Sequence, residues 1–216
     1  MAIKNLQQGV TVIELVIVIA IVSVVSSVLI FNYSGFSTSV SIRNLSQEMA
    51  LSIRKAQTYA TSVQSVNSVV NDTTLFPAYG ISFSLNQPTS DITLPTTKRF
   101  VLFADIPDVS NPLGDKIYTS DGECGVPSFD SECLESFGIA TSDRIIRLCT
   151  DITGCASDMT VNVLFRRPSP DALICIVQGS ACSSSTPSYL EIVVQSVRGD
   201  ERTILVWNTG QISVQR

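Results

Sequence analysis

Residues 9 to 31 read Gly9-Val10-Thr11-Val12-Ile13-Glu14-Leu15-Val16-Ile17-Val18-Ile19-Ala20-Ile21-Val22-Ser23-Val24-Val25-Ser26-Ser27-Val28-Leu29-Ile30-Phe31. From Val10 to Phe31 there are 22 residues, and Glu14 is the one ionisable side chain among them. As a helix rising ~1.5 Å per residue the run covers about 33 Å, enough to cross a hydrocarbon layer of about 30 Å. A carboxylate in such a helix costs roughly 2.5–3.5 kcal/mol at mid-bilayer, so it calls for a partner. An amine created at Val10 by a cut after Gly9 would lie one helical turn from Glu14 and supply the counter-charge.

A secretory signal peptide has an apolar core of only about 7–15 residues, followed by a small-residue cleavage site. This run is too long for that, and its acid sits near the start. A plain single-pass anchor satisfies the length but leaves the spacing of Gly9 and Glu14 behind a short polar leader unexplained. Gly9-Val10-Thr11-Val12-Ile13-Glu14-Leu15, after a leader carrying Lys4, resembles the type III signal of type IV pilins and type II secretion pseudopilins. Where that family usually carries Phe after the glycine and Leu two positions later, Val10 and Val12 keep both positions apolar. The resemblance implies that a prepilin peptidase cuts after Gly9 and methylates the Val10 amine. It also implies that Glu14 meets a neighbour's positive N-terminus during assembly. The implied partners are other pilin or pseudopilin subunits, the prepilin peptidase and an inner-membrane assembly platform.

The chain has 216 residues and a formal net charge of −5. Loss of residues 1–9 removes Lys4 and leaves 13 basic against 19 acidic residues. Such a balance has no general attraction for nucleic acid, which argues against it as a partner. The leader's basic flank predicts a cytoplasmic N-terminus and an extracytoplasmic C-terminal part. The pilin resemblance implies anchoring in the inner membrane before entry into a fibre. Cys124, Cys133, Cys149, Cys155, Cys175 and Cys182 fit the oxidising side. Six cysteines allow 15 connectivities, of which sequential pairing is the simplest at these short spacings. Zinc is the rival reading. It lacks support, because the chain has no histidine and no CxxC.

Past the apolar run, Tyr33 and Phe36 suit a membrane–water interface, and Gly35 marks a hinge position. Ile42, Leu45, Met49, Ile53, Ala56, Ala60 and Val63 then recur at steps of three and four. Arg43, Gln47, Arg54 and Gln57 fall between them, the pattern of an amphipathic helix. The two parts read as one helix of about 50–55 residues. Ser65 to Phe76 has loop composition. Strands are expected at Tyr79–Leu85, Arg99–Ile106, Lys116–Thr119, Arg144–Cys149, Met159–Arg166, Ala172–Val177, Tyr189–Val197, Arg202–Asn208 and Gln211–Val214. The last three form a meander turning at Arg198–Glu201 and Asn208–Gly210.

Helix first and strands afterwards predicts an α+β fold, with the long N-terminal helix packed on an antiparallel β-sheet domain. The expected division is a leader at 1–9, a transmembrane and assembly helix at 10–33, its amphipathic continuation at 34–65, and a β-rich extracytoplasmic domain at 66–216.

Two C-terminal stretches add a narrower resemblance. Phe165-Arg166-Arg167-Pro168-Ser169-Pro170-Asp171-Ala172, and the ending with Arg202-Thr203-Ile204 and Thr209-Gly210-Gln211-Ile212-Ser213-Val214, are similar to GspH/FimT-like minor pseudopilins. This implies a minor subunit of a type II secretion pseudopilus or a type IV pilus-like fibre. FimT-like relatives also take part in DNA uptake through basic residues, which brings Arg166, Arg167, Arg198, Arg202 and Arg216 forward as alternative contacts. Asp171, Asp200 and Glu201 sit among them and weaken any field they make.

Catalysis finds little footing, since the usual base near neutral pH is histidine. Ser52-Ile53-Arg54-Lys55 matches the S-x-x-K spacing of penicillin-recognising enzymes without its companion motifs. No catalytic residue and no cofactor are expected. One metal remains open. Asp105, Asp108, Asp115, Asp121, Glu123, Asp130, Glu132 and Glu135 crowd one region against a single Lys116, and hard oxygen ligands at turns can hold calcium. A solvated acidic loop tied by Cys124 and Cys133 is the simpler account.

Overall fold

The computed structural model describes residues 10–62, 64–67, 74–85, 96–107, 113–119, 124–125 and 132–215. Lys4, Gly9, Val63, Asp108, Asp121, Glu123, Asp130 and Arg216 therefore lie outside the described residues. The chain divides into two compact units, Met1–Val40 and Ser41–Arg216.

One helix, α1, runs from Val12 to Thr61 and passes through Gly35. It ends four residues short of the expected 65, and the local chemistry accounts for that. Thr58, Thr61 and Ser62 turn their hydroxyls back onto the carbonyls of Arg54, Gln57 and Tyr59. Side chains of this kind compete with the helical backbone.

In the second unit the three-and-four periodicity does what the pattern predicts. Ile42, Leu45, Met49, Ile53, Ala56 and Ala60 are all buried, while Arg43, Gln47 and Arg54 are exposed. Among the described residues, thirteen strands accompany the helix. Val66–Asn67 (β1) and Thr74–Leu75 (β2) make a two-stranded ribbon. Ala78–Ser84 (β3), Arg99–Asp105 (β4), Cys133–Gly138 (β5), Thr160–Phe165 (β8), Ala172–Gln178 (β9) and Ala181–Cys182 (β10) form a sheet in the order β10-β9-β8-β3-β4-β5. Arg144–Thr150 (β6), Gly154–Ala156 (β7), Tyr189–Gln195 (β11), Glu201–Trp207 (β12) and Ile212–Gln215 (β13) form another, in the order β13-β12-β11-β6-β7. Every pairing is antiparallel. The architecture is α+β with a long N-terminal helix, and its strands divide into two main sheets.

One apolar core joins helix and sheets. It takes Met49 and Ile53 from α1, Ile81, Leu102 and Val163 from the six-stranded sheet, and Leu148, Ile192 and Ile204 from the five-stranded one. The six-stranded sheet is apolar on its other face as well. There Ala78, Phe103, Leu164 and Cys175 pack with Tyr118. Because side chains alternate along a strand, Asp105 projects on the same face as Phe103.

Lys116–Thr119 is a correction: it is not a strand. It is a loop that crosses this second face, with Lys116 at a positive φ of 66° and the Tyr118 ring 5.5 Å from that of Phe103. Tyr118 packs on the sheet face without the loop joining the ladder.

Three disulfides tie the strands, Cys124–Cys133, Cys149–Cys155 and Cys175–Cys182. The pairing is sequential. Cys149 and Cys155 are direct cross-strand partners of β6 and β7.

Candidate functional site

At the N-terminal end of α1 the Thr11 hydroxyl accepts a hydrogen bond from the Glu14 amide at 3.3 Å, and the Thr11 carbonyl accepts one from Leu15 at 3.2 Å. Thr11 is thus the N-cap and Glu14 the third helical residue, the spacing of a capping box. A carboxylate in the first turn also faces the positive end of the helix dipole. This local role was readable in Thr11-x-x-Glu14, but the strength of the apolar run draws attention away from it.

Val12 to Leu29 is long and apolar enough to cross a membrane, and none of it is buried within the protein. Val10 is 72% exposed, and Val12, Ile13 and Val24 are comparably bare. Apolar surface of this extent is unfavourable in water at roughly 25 cal/mol per Å², so lipid or other apolar helices are its natural surroundings. The segment's hydroxyls suit such surroundings. Ser23 and Ser27 each donate to the carbonyl four residues back, Ile19 and Ser23, at 2.8 Å. Such back-bonds satisfy these two hydroxyl protons where water is absent.

A second constellation lies in the other unit, on the outer face of the six-stranded sheet. Oxygens of Asp105, Asp115 and Glu132 all stand within 4.8 Å of one another. Asp105 ends β4, Asp115 belongs to the crossing loop, and Glu132 immediately precedes β5. Glu132 Oε1 accepts from the Ile106 amide at 2.8 Å, and Oε2 from the Thr119 amide at 3.0 Å. Asp105 Oδ1 accepts from the Lys116 amide at 3.2 Å. Burial pushes the Glu132 carboxyl up to about 8, against the pull of those two amides. Burial likewise raises Asp105 to about 6; the Asp115 charge adds to the rise, while the Lys116 amide and Arg166 oppose it. Glu135, from the same acidic stretch, pairs instead with Lys55 of α1. Sequence density marked the region, and among its described acids the fold brings Asp105, Asp115 and Glu132 together.

The arginines are dispersed. Arg166 follows β8 and donates to the Leu113 carbonyl, while the Arg167 guanidinium lies 4.5 Å from the centre of the Phe76 ring. Arg198 lies in the β11–β12 turn, and Arg202 on β12 pairs across to Val194. Arg147 takes the neighbouring Glu201 at 2.6 Å.

Residues 4–30 match the family described as the prokaryotic N-terminal methylation motif. The match covers the apolar run, Val10 and Glu14, and it supports placing the chain in the type IV pilin and pseudopilin superfamily. That motif points to a structural protein. No curated protein and no solved structure matches the chain.

Proposed function

We propose that this chain is a prepilin whose mature form is a minor subunit of a type II secretion pseudopilus or a type IV pilus-like fibre. The observation that carries the reading is Glu14, a lone acid in the first turn of an exposed apolar helix and within a matched methylation motif. A prepilin peptidase cuts after Gly9 and methylates the Val10 amine. The helix then holds the subunit in the cytoplasmic membrane, its N-terminus inside, with the disulfide-bearing unit on the oxidising side. An assembly platform lifts it from the bilayer into a bundle of like helices. Lipid contacts are exchanged there for close packing, and the Glu14 carboxylate meets a neighbour's amine. The β-rich unit faces outward and selects neighbouring subunits.

The test is the intact mass of the protein purified from its native membrane. A chain beginning at Val10 with one added methyl is expected. An N-terminus at Met1, or one created near Ala20 or Ser27, would remove the reading.

A further inference from the structure

We propose that Asp105, Asp115 and Glu132 form a binding site for one hard divalent cation, with calcium the ion that fits best. The inference concerns the folded unit alone and does not rest on the prepilin reading.

Asp105 is fully buried, and its Oδ2 has no hydrogen-bond partner among the described residues. A buried carboxylate oxygen is costly to leave bare, so an arrangement that keeps one implies a further ligand. The surroundings are built tightly around this carboxylate. A Cβ added at Gly114, whose φ is 79°, would come within 2.2 Å of Asp105 Oδ1. Next to it Lys116 takes a left-handed conformation with its amide on Asp105 Oδ1, and its carbonyl accepts from Asn162 Nδ2 at 3.0 Å. Asp115 Oδ1 is held by the Ile117 amide at 2.8 Å, which orients that carboxylate as well. The loop is therefore fixed at both ends of the cluster.

Charge points the same way. Three carboxylates converge, and Arg166 is a positive side chain whose field reaches Asp105. A carboxylate has lone pairs beyond the single amide each oxygen accepts, so Glu132 can hold its amides and still ligate.

The donor set selects the class of ion. All three donors are carboxylates, the chain has no histidine, and all six cysteines are joined in disulfides, so a soft or borderline metal finds no suitable ligand here. Oxygens within 4.8 Å of one another can all touch a calcium ion, whose ligands stand about 2.3–2.6 Å away. Exposed Asp115 leaves a side on which water completes the shell.

The test uses the full chain in detergent micelles at pH 7.5, stripped with chelator. Equilibrium dialysis against calcium should give one ion per chain, and added calcium should raise the melting temperature by several degrees. Asp105→Asn keeps the shape and should weaken binding at least tenfold. Asp115→Asn changes an exposed side chain and keeps an Oδ1 that can accept from the Ile117 amide, so a loss of binding there is not a loss of that loop contact. Magnesium or manganese bound with the same dependence on Asp115 also supports the site. The proposal is overturned if none of the three ions binds, or if Asp115→Asn binds calcium as the parent does. A melting temperature equal in chelator and in calcium, with no ion retained, would assign the cluster to protonated carboxyls alone.

Discussion

Gln57 Nε2 donates to the Gly210 carbonyl oxygen at 3.2 Å and to that of Pro170 at 2.9 Å, joining the end of α1 to two loops more than a hundred residues away. Gly210 can be met this way because it sits at a φ of 80° in the β12–β13 turn, where a Cβ would lie 2.1 Å from the Pro170 carbonyl oxygen. One amide thereby fixes the helix against both the final hairpin and the segment entering β9.

Gln57→Ala should therefore lower the stability of the folded unit by about 1–2 kcal/mol, the usual scale for losing such hydrogen bonds. Gly210→Ala should cost more, since it adds a steric clash to the strain of a left-handed residue. Urea midpoints of the parent and both variants give the comparison. A Gly210→Ala protein as stable as the parent would show that the turn adjusts freely.

A pH dependence follows from Tyr79. This residue is buried, its ring stands edge-on to Tyr59 at 5.6 Å, and its hydroxyl donates to the Gln64 carbonyl at 2.9 Å. Burial, and secondarily Tyr59, push the phenol up to about 12. A raised native pKa means that the folded protein keeps the proton to higher pH than the unfolded chain does. The stabilisation is thus complete below about pH 10 and is lost between about 10 and 12, by up to about 2–3 kcal/mol. Tyr79→Phe should remove this part of the alkaline decline, which urea midpoints at pH 9 and 11.5 will reveal. An identical decline in both proteins would place the loss elsewhere.

The apolar run and the buried face of α1 were legible because burial repeats with the helical period from Ile42 to Ala60. Long strands such as β8 and β11 were legible as short runs of β-branched and apolar residues that the core covers. The strands that escaped reading are short or marginal. β5 lies at the edge of its sheet with several partly exposed residues, so alternation is weak. β7 and β10 have three and two residues and also lie at edges, held by Cys149–Cys155 and Cys175–Cys182. Cross-links there do what pattern and length cannot. In the acidic region, Asp105, Asp115 and Glu132 belong to a strand end, a crossing loop and a strand start. Charge density could mark the stretch, but only the fold brings these three together.

Those edge disulfides carry a prediction of their own. Cys149 and Cys155 close a short loop, with a sequence separation of six, and restricting the unfolded chain by such a loop contributes about 2 kcal/mol. Replacing both with Ala should lower the urea midpoint accordingly while leaving the slope of the transition almost unchanged. β7 should also open first, which amide exchange at Cys155 and Ala156 would register. Equal protection of these amides in the parent and the variant would show that the backbone ladder alone holds the edge.

Glu14 gives the sharpest division between anchoring and assembly. Its amide is already engaged by Thr11 and its carboxylate faces the positive end of the helix, so the side chain is tolerable in the monomer before any partner arrives. Glu14→Gln keeps the size and removes the charge. It should leave cleavage after Gly9 intact and reduce entry into fibres. Glu14→Leu removes the cost of placing a carboxylate in lipid and should insert at least as well as the parent. Any defect it shows is then one of assembly. Thr11→Val is the control for the local role, because it removes the cap at a cost of about 1 kcal/mol and keeps the acid. Its fibres should be less affected than those of either Glu14 variant. Cells expressing all three at matched levels can be fractionated into membrane and sheared fibre, with Gly9→Ala marking the uncut precursor in the membrane. If both Glu14 variants reach the fibre as fully as the parent, the carboxylate makes no assembly contact. If Thr11→Val fails as badly as they do, the order of the first helical turn matters more than the charge it carries.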